Sequence, residues 1–350
     1  MKLDSIHYDY RKIDGYPQPF KFVLSARELG KTTVFWVKKI YSGFRKDKRP
    51  WIYLTRQAVD ISEAAITTIE NYINKFSEEF GGEEINLRYS RSDLNKGICD
   101  VYIGKDLFFR FVALSIPLRR IKLCVLKGLK GVFIDEYIID SRTGERYIKD
   151  EAFKLKEAYT TWVRECPNLR VYFSANPYSL YNPLFLAFDV DTRALKIGTF
   201  YTSDILVIEY AKISPELRAA ILAKNPLYKF DEDYTDYALE GTAINDKNVR
   251  VGERDAYSPL KFVFKVRERY FGAWQGRTPD VRYYVTELDE ISKRRSAFCL
   301  DLADLVENCA LISVADKLRL TTFRDAMSRN AVVYENVNIF YIFVEVFKHL

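Results

Sequence analysis

The sequence predicts an α/β protein: a domain with a mostly parallel sheet over 1–205, a small polar linking or lid subdomain over 206–256, and an α+β domain over 257–350. Three observations predict it. Short apolar runs alternate with amphipathic stretches through the first half. A Gly-Lys-Thr loop follows the first apolar run, and a later apolar run ends on two adjacent acids. Alternation of this kind is the pattern of strands and crossover helices wound into one parallel sheet.

Taken in order, "FKFVLS" (20–25) reads as a short buried strand, and "KTTVFWVKKIYSGF" as the helix that follows its loop. "PWIYLT" (50–55) is a second strand, and "SEAAITTIENYINKFSEEF" (62–80) an amphipathic helix stopped by Gly81-Gly82. "CDVYIGKDLFFRFVAL" (99–114) reads as a hairpin turning at Gly104-Lys105. "GVFIDEYII" (131–139) and "LRVYFSANP" (169–177) are further buried strands, separated by the helix "DEAFKLKEAYTTWVREC". Residues 214–255 are polar, with the helical "SPELRAAILAKN" and the acidic "DEDYTDYALEG". An antiparallel strand pair, "SPLKFVFKVRERYFGAWQG" (258–276), opens the second domain. At the end of the chain Val333, Asn336, Phe340, Phe343 and Phe347 recur at the spacing of a last helix.

Composition narrows the function. Hydrophobic residues make up 48% and charged residues 29%, a globular balance. The net charge of +6 is compatible with a polyanionic partner without requiring one. The five cysteines form no CxxC pair and there are only two histidines, which argues against a zinc site or a histidine-based triad. Reduced, mostly buried thiols are the expectation. The stretch "MKLDSIHYDYRKIDGY" lacks the apolar core of a signal peptide, and "IFYIFVEVF" is too short to span a bilayer, so no membrane role is expected.

The chemistry sits at three places. In "KFVLSARELGKTT" the spacing Ser25-x4-Gly30-Lys31-Thr32 lies between a strand and a helix. There, backbone N–H groups and the helix N-terminus can converge on phosphate oxygens. Ser25, Ala26, Arg27, Glu28, Leu29, Gly30, Lys31, Thr32 and Thr33, with Arg56 after the second strand, are the candidate ATP-binding residues. Lys31 would reach the outer phosphates, and the Thr32 hydroxyl would ligate Mg²⁺. A plain strand-to-helix turn is the alternative for the loop alone. Second, "GVFIDEY" presents Asp135 and Glu136 at the end of a buried strand, one to hold hydrated Mg²⁺ and one to orient and deprotonate a water. A solvated strand end is the alternative, but the acids and the loop support each other, and such acids mark the additional-strand (ASCE) class of P-loop ATPases. Third, "VYFSANP" places Ser174 and Asn176 at the same edge, where they can sense the terminal phosphate; an Asn-Pro turn is the other reading.

Basic residues are less specific. Arg164, ending a helix in "TTWVRECPN", could act as an arginine finger in a neighbouring subunit's site or simply cap its own helix. In "LRRIKLCVLKGLKG" (118–131), Arg119, Arg120 and Lys122 could meet phosphates or form a solvated face. Arg142, Arg146 and Lys149 are candidate grips on a DNA backbone, against the default of ordinary surface cations.

With these residues in order, the chain resembles the DNA-packaging (encapsidation) ATPases of small short-tailed phages of the phi-29 type, relatives of large terminases and FtsK/HerA-like pumps. The likeness covers most of the chain: "FVLSARELGKT", "ALSIP", "VFIDEY", "SANPYSLYNPLF", "KFVFKVRERYFGAW" and "ALISVADKLRLTTFRDAMSRNAVVYENV". The resemblance implies a homo-oligomeric, pentameric ring in the host cytoplasm, engaged transiently at the portal (connector) vertex of a procapsid, driving double-stranded DNA inward with ATP and Mg²⁺. A packaging RNA is a further possible partner. By the same resemblance Lys31, Asp135, Glu136 and Arg164 match the loop lysine, the magnesium aspartate, the catalytic glutamate and the trans-acting arginine, the last with a one-residue shift. Lys122 falls where a second trans-acting base is expected.

Two departures matter. Ser25 and Glu28 break the usual glycine pattern of the loop; Glu28 is expected to face outward and pair with Arg27 or a neighbouring subunit. The C-terminal domain would be a degenerate RNase H-like fold, because its first strands lack the expected central aspartate. Asp280, Glu287, Asp289 and Asp301 supply no evident two-metal cluster. No cleavage is expected. The rival readings are a cellular FtsK- or helicase-like translocase and a non-catalytic nucleotide- or DNA-binding structural protein.

Overall fold

A computed structural model describes residues 7–140, 143, 145–180, 182–225, 249–266, 269–278, 280–289, 296–299, 304–312 and 318–348, with 228, 230, 235, 238, 239, 241 and 243. The chain divides into two compact units, Met1–Ile244 and Asn245–Leu350.

The apolar runs of the first unit pair into one sheet. Its strands are β1 (Phe20–Ser25), β2 (Trp51–Thr55), β3 (Leu87–Tyr89), β4 (Ile98–Ile103), β5 (Asp106–Ala113), β6 (Gly131–Asp135), β7 (Val171–Ala175), β8 (Thr199–Thr202) and β9 (Leu206–Ala211). Their order is β3-β4-β5-β2-β6-β7-β1-β9-β8. The inner run β5-β2-β6-β7-β1-β9 is parallel throughout, and the strands at either edge are antiparallel. Every residue of β1 and β9 is buried, which is why these strands read as mainly apolar runs, broken only by Lys21 and Glu209, rather than as alternating ones. β7 lies between the loop strand β1 and the acidic strand β6, so an additional strand separates them as the paired acids implied.

The one charge inside β1 is explained locally. Lys21 is fully buried, and its Nζ donates to the carbonyls of Ile13 (2.8 Å) and Tyr16 (2.6 Å) at the end of α1 (Arg11–Asp14). Burial brings its pKa down to about 8.

The helix after the loop forms as expected but changes winding. α2 (Lys31–Val34) passes into a π-wound stretch, Phe35–Tyr41, and then α3 (Ser42–Asp47). Phe35 stacks on Phe133 of β6 at 3.9 Å between ring centres, fixing the loop helix to the acidic strand. α4 (Glu63–Asn74), capped by the Ser62 hydroxyl, is shorter than expected. A 3₁₀ turn, Ser77–Phe80, leads to left-handed Gly81. α5 (Leu118–Lys122) is a single turn. α6 (Glu151–Glu165) buries Ala152, Leu155, Ala158 and Trp162 at helical spacing. α7 (Pro183–Ala187) and α8 (Pro215–Lys224) complete the unit's named helices.

The boundary differs from the expected one. β9 pairs with β1 along its whole length, so the sheet continues past 205 and the polar subdomain does not begin at 206. The sequence places β9 after the expected boundary because periodicity alone does not reveal a strand's partner.

The second unit carries β10 (Leu260–Val266), β11 (Arg269–Thr278), β12 (Val281–Leu288), β13 (Ala297–Cys299), β14 (Cys309–Leu311) and β15 (Val332–Tyr334) in the order β14-β13-β10-β11-β12-β15. β10, β11 and β12 form an antiparallel meander, and β13 and β14 run parallel on its β10 side, the arrangement of an RNase H-like sheet. Phe264, Phe323, Phe343 and Phe347 form its aromatic core with α9 (Thr321–Ser328) and α10 (Val337–Lys348). Val333 departs from the expected helix: it lies in β15, paired with Tyr284, and the helix starts only after Asn336, whose Oδ1 accepts from the Ile339 amide. Among the described residues no helix is long and apolar enough to cross a membrane. Cys99, Cys124 and Cys299 are buried free thiols; Cys166 and Cys309 are half-buried.

Candidate active site

The phosphate loop is shaped by two left-handed residues. Gly30 has φ +71 and caps α2, with the His7 ring so close that a Cβ there would stand 2.7 Å from it. Glu28 has φ +66, a conformation costing a non-glycine residue about 1–3 kcal/mol. Ser25 replaces a glycine without strain because it is still part of β1, and its hydroxyl becomes a ligand for the lysine. Lys31 Nζ donates to Ser25 Oγ (2.8 Å), the carbonyls of Ser25 (3.3 Å) and Ala26 (3.2 Å), and Asn176 Oδ1 (3.2 Å). The lysine is therefore held across the loop toward the end of β7.

The acidic strand meets the loop directly. Thr32 Oγ1 donates to Asp135 Oδ2 at 2.7 Å, and the Glu136 amide to Asp135 Oδ1 at 3.1 Å. Ser174 lies opposite Asp135 in the parallel ladder. Glu136 is itself left-handed, at φ +50. Strain of this kind concentrates at functional sites.

Arg27, Glu28, Gly30, Lys31, Thr32, Thr33, Asp135, Glu136, Ser174 and Asn176 line one cleft of about 380 Å³, completed by Tyr72 and Ala175. Ser25, Ala26 and Leu29 are buried beneath it. The cleft opens at the carboxyl ends of parallel strands, where α/β sheets take ligands. Its charges disturb one another. Burial brings the Lys31 pKa down to about 8, opposed by the charges of Asp135 and Glu136. Burial also raises Asp135, opposed by the Thr32 hydroxyl, and raises Glu136, with the charge of Asp135 adding to the rise. Arg27 and Lys31 face Glu28, Asp135 and Glu136 across the cleft, and the Asp135 carboxylate bound to the Thr32 hydroxyl is an oxygen donor set that suits a hard divalent cation.

The outlying residues fare differently. Arg56 does not line the loop cleft. Burial in the fold gives its guanidinium another partner: Nε and Nη2 bind the Glu151 carboxylate at 3.0 and 3.2 Å, and Nη2 reaches the Tyr137 carbonyl at 2.9 Å. It borders an adjacent cavity of about 520 Å³ that also holds Asp135, Glu136 and Arg146. Lys122 is tied to Glu157 of α6. Arg164 is exposed in the last turn of α6. Arg146 and Lys149 are exposed, and Arg142 falls outside the described residues. Glu28 is exposed as expected, and its Oε1 accepts from Tyr228 Oη at 3.1 Å, while Arg27 Nη2 donates to Tyr178 Oη at 3.0 Å. In the second unit Glu287 is bound by Arg269, Asp301 falls outside the described residues, and among the described residues no three His, Cys, Asp or Glu side chains gather as a metal site.

Sequence reasoning missed Tyr72, Glu151, Tyr178 and Tyr228. Glu151 had one usable signal, an acid in the first turn of a helix, but nothing local ties it to Arg56.

A family model described as the podovirus DNA encapsidation protein (Gp16) matches residues 2–350. The DNA packaging proteins of Bacillus phages PZA and phi29 are each 24% identical to the chain, covering 99% of it and 98% of the relative. In structure the chain is similar to a protein of the bacteriophage Phi-29 viral genome packaging motor assembly, with a TM-score of 0.72 at 22% identity over 98% of this chain and 99% of that one. It is also similar to a protein of the Phi-28 gp11 DNA packaging motor, with a TM-score of 0.61 at 17% identity over 97% and 98% of the two chains.

Proposed function

The chain belongs to the podovirus DNA encapsidation protein family, and from that premise we propose that it is the ATP-driven motor that moves double-stranded viral DNA into a procapsid. The observation that carries the ATPase reading is the 2.7 Å bond between Thr32 and Asp135, which joins the loop and the acidic strand into one cleft with Lys31 and Glu136. Thr32 and Asp135 would hold Mg²⁺, which when bound supplies positive charge to the phosphates.

The chain's own residues do the rest. Backbone N–H groups at the start of α2 face the phosphates. Lys31 exchanges its contacts with Ser25 and Asn176 for phosphate oxygens, so loss of the phosphate returns it to Asn176, and β7 senses the nucleotide state. Glu136 orients the attacking water and accepts its proton. A carboxylate raised above its ordinary range is the better base for that step near neutral pH.

Arg164, exposed on α6, is assigned to a neighbouring subunit's site in a pentameric ring, and Lys122 would join it by leaving Glu157. Arg146 and Lys149 grip the DNA backbone electrostatically, together with Arg142, so binding weakens with salt. The ring works in the host cytoplasm at the portal vertex, with a packaging RNA as a further partner. The second unit cuts nothing.

The test is ATP-dependent protection of DNA from nuclease inside purified procapsids. Wild type should protect a full-length genome and Lys31→Ala none. Equal protection by both would end the motor reading. Failure to copurify with a portal ring, despite DNA-stimulated hydrolysis, would favour a cellular translocase instead.

A further inference from the structure

A carboxylate in a loop that receives phosphates is electrostatically adverse, yet Glu28 lines the cleft beside Lys31 and Thr32. It keeps a left-handed backbone that glycine would adopt freely. Its carboxylate is drawn to Tyr228, whose side chain is buried to 5% exposure and whose carbonyl accepts from Thr235 Oγ1 at 2.6 Å. The same stretch of chain returns to the loop on its other flank. Tyr210 Oη donates to the Gly241 carbonyl, and Gly241 lies so near Ala26 that a Cβ would stand 3.1 Å from the Ala26 nitrogen. The loop is thus touched at Ala26 and at Glu28 by residues that follow β9.

We propose that Tyr228 is a positioning residue for the phosphate loop: its hydroxyl latches the Glu28 carboxylate away from the phosphate positions. The proposal rests on the ATP reading above. An ionised acceptor makes this a charge-assisted bond. Phosphate charge entering the cleft pushes the carboxylate further toward the hydroxyl, so nucleotide strengthens the latch and the latch strengthens nucleotide binding, as linkage requires. Without the hydroxyl, the freed carboxylate competes with phosphate for Lys31 and the loop amides. The residues after β9 thereby read whether the loop is filled.

Binding of Mg-ADP and the KM and kcat for ATP, measured on the full chain, test this through a double-mutant cycle. Tyr228→Phe should weaken Mg-ADP binding and raise KM about tenfold with kcat unchanged. Glu28→Gln alone gives the reference affinity of a loop without the charge. In that background Tyr228→Phe should cost nothing further, because the competing charge is gone. Equal weakening in Tyr228→Phe and the double variant would mean Tyr228 acts through packing, and would overturn the latch. So would unchanged binding in Tyr228→Phe. A wild-type protein that binds no Mg-ADP would instead overturn the nucleotide reading itself.

Discussion

In the first unit, β6 and β7 end on Asp135, Glu136, Ser174 and Asn176, all brought to one cleft. In the second unit the first strand, β10, carries Lys265 instead, buried with its Nζ on the Asp304 carbonyl at 3.2 Å. Both sheets are filled with aromatic side chains, yet among the described residues only the first gathers carboxylates. The difference lies in where buried charge is tolerated. The first unit brings Lys31, Asp135 and Glu136 together in one cleft and shifts each away from its ordinary pKa. The second holds its buried Lys265 on a carbonyl, as the first holds Lys21, and devotes its centre to Phe264, Phe323, Phe343 and Phe347. Partly satisfied polar clusters cost stability and persist where function uses them.

The largest effect is expected at Arg164: Arg164→Ala should lower DNA-stimulated hydrolysis at least about 10³-fold, the scale of a trans-acting arginine. Mixing it with Lys31→Ala subunits should restore part of the rate, measured by steady-state turnover of mixed rings. Next is Phe264→Ala in the aromatic core of the second unit, expected to cost about 3–5 kcal/mol in denaturant unfolding. Mg-ADP affinity should be unchanged if the chemistry resides in the first unit alone.

A smaller effect concerns protons. Lys31, brought down to about 8 by burial, binds phosphates in its charged form, so above pH 8 nucleotide binding should take up protons. Calorimetry in buffers of different ionisation enthalpy should detect the uptake, and Lys31→Met should abolish it. The sign for stability is opposite: between about 8 and the ordinary lysine range the unfolded chain holds more protons. Lys31 and Lys21 therefore make the ligand-free fold more stable as pH rises through that window. The smallest expected signal is a null one, no nicking of supercoiled plasmid with Mn²⁺; nicking would place a nuclease in the second unit.

The local features of the fold and the cleft were legible in the sequence. The strand–loop–helix at Ser25–Thr33, the acids closing "GVFID" and the polar end of "VYFSAN" each follow from a run of neighbours, and the structure brings them to one cleft. The pairs that complete the site are not local. Arg56 and Glu151 are 95 positions apart and Glu28 and Tyr228 are 200 apart, and neither pairing leaves a periodic trace. Val333 shows the opposite failure: a helical spacing that extends one turn too far, because strand pairing with β12 outweighs periodicity there.

In the proposed mechanism Glu136 drives hydrolysis in the cleft built by Lys31, Thr32 and Asp135. DNA-stimulated ATPase activity of wild type and Glu136→Gln, with Mg-ATP binding measured alongside, tests it most directly. Glu136→Gln should bind Mg-ATP within a few-fold of wild type and turn it over at least about 10²-fold more slowly, the contribution of a positioned general base. Equal turnover by the two proteins would contradict it.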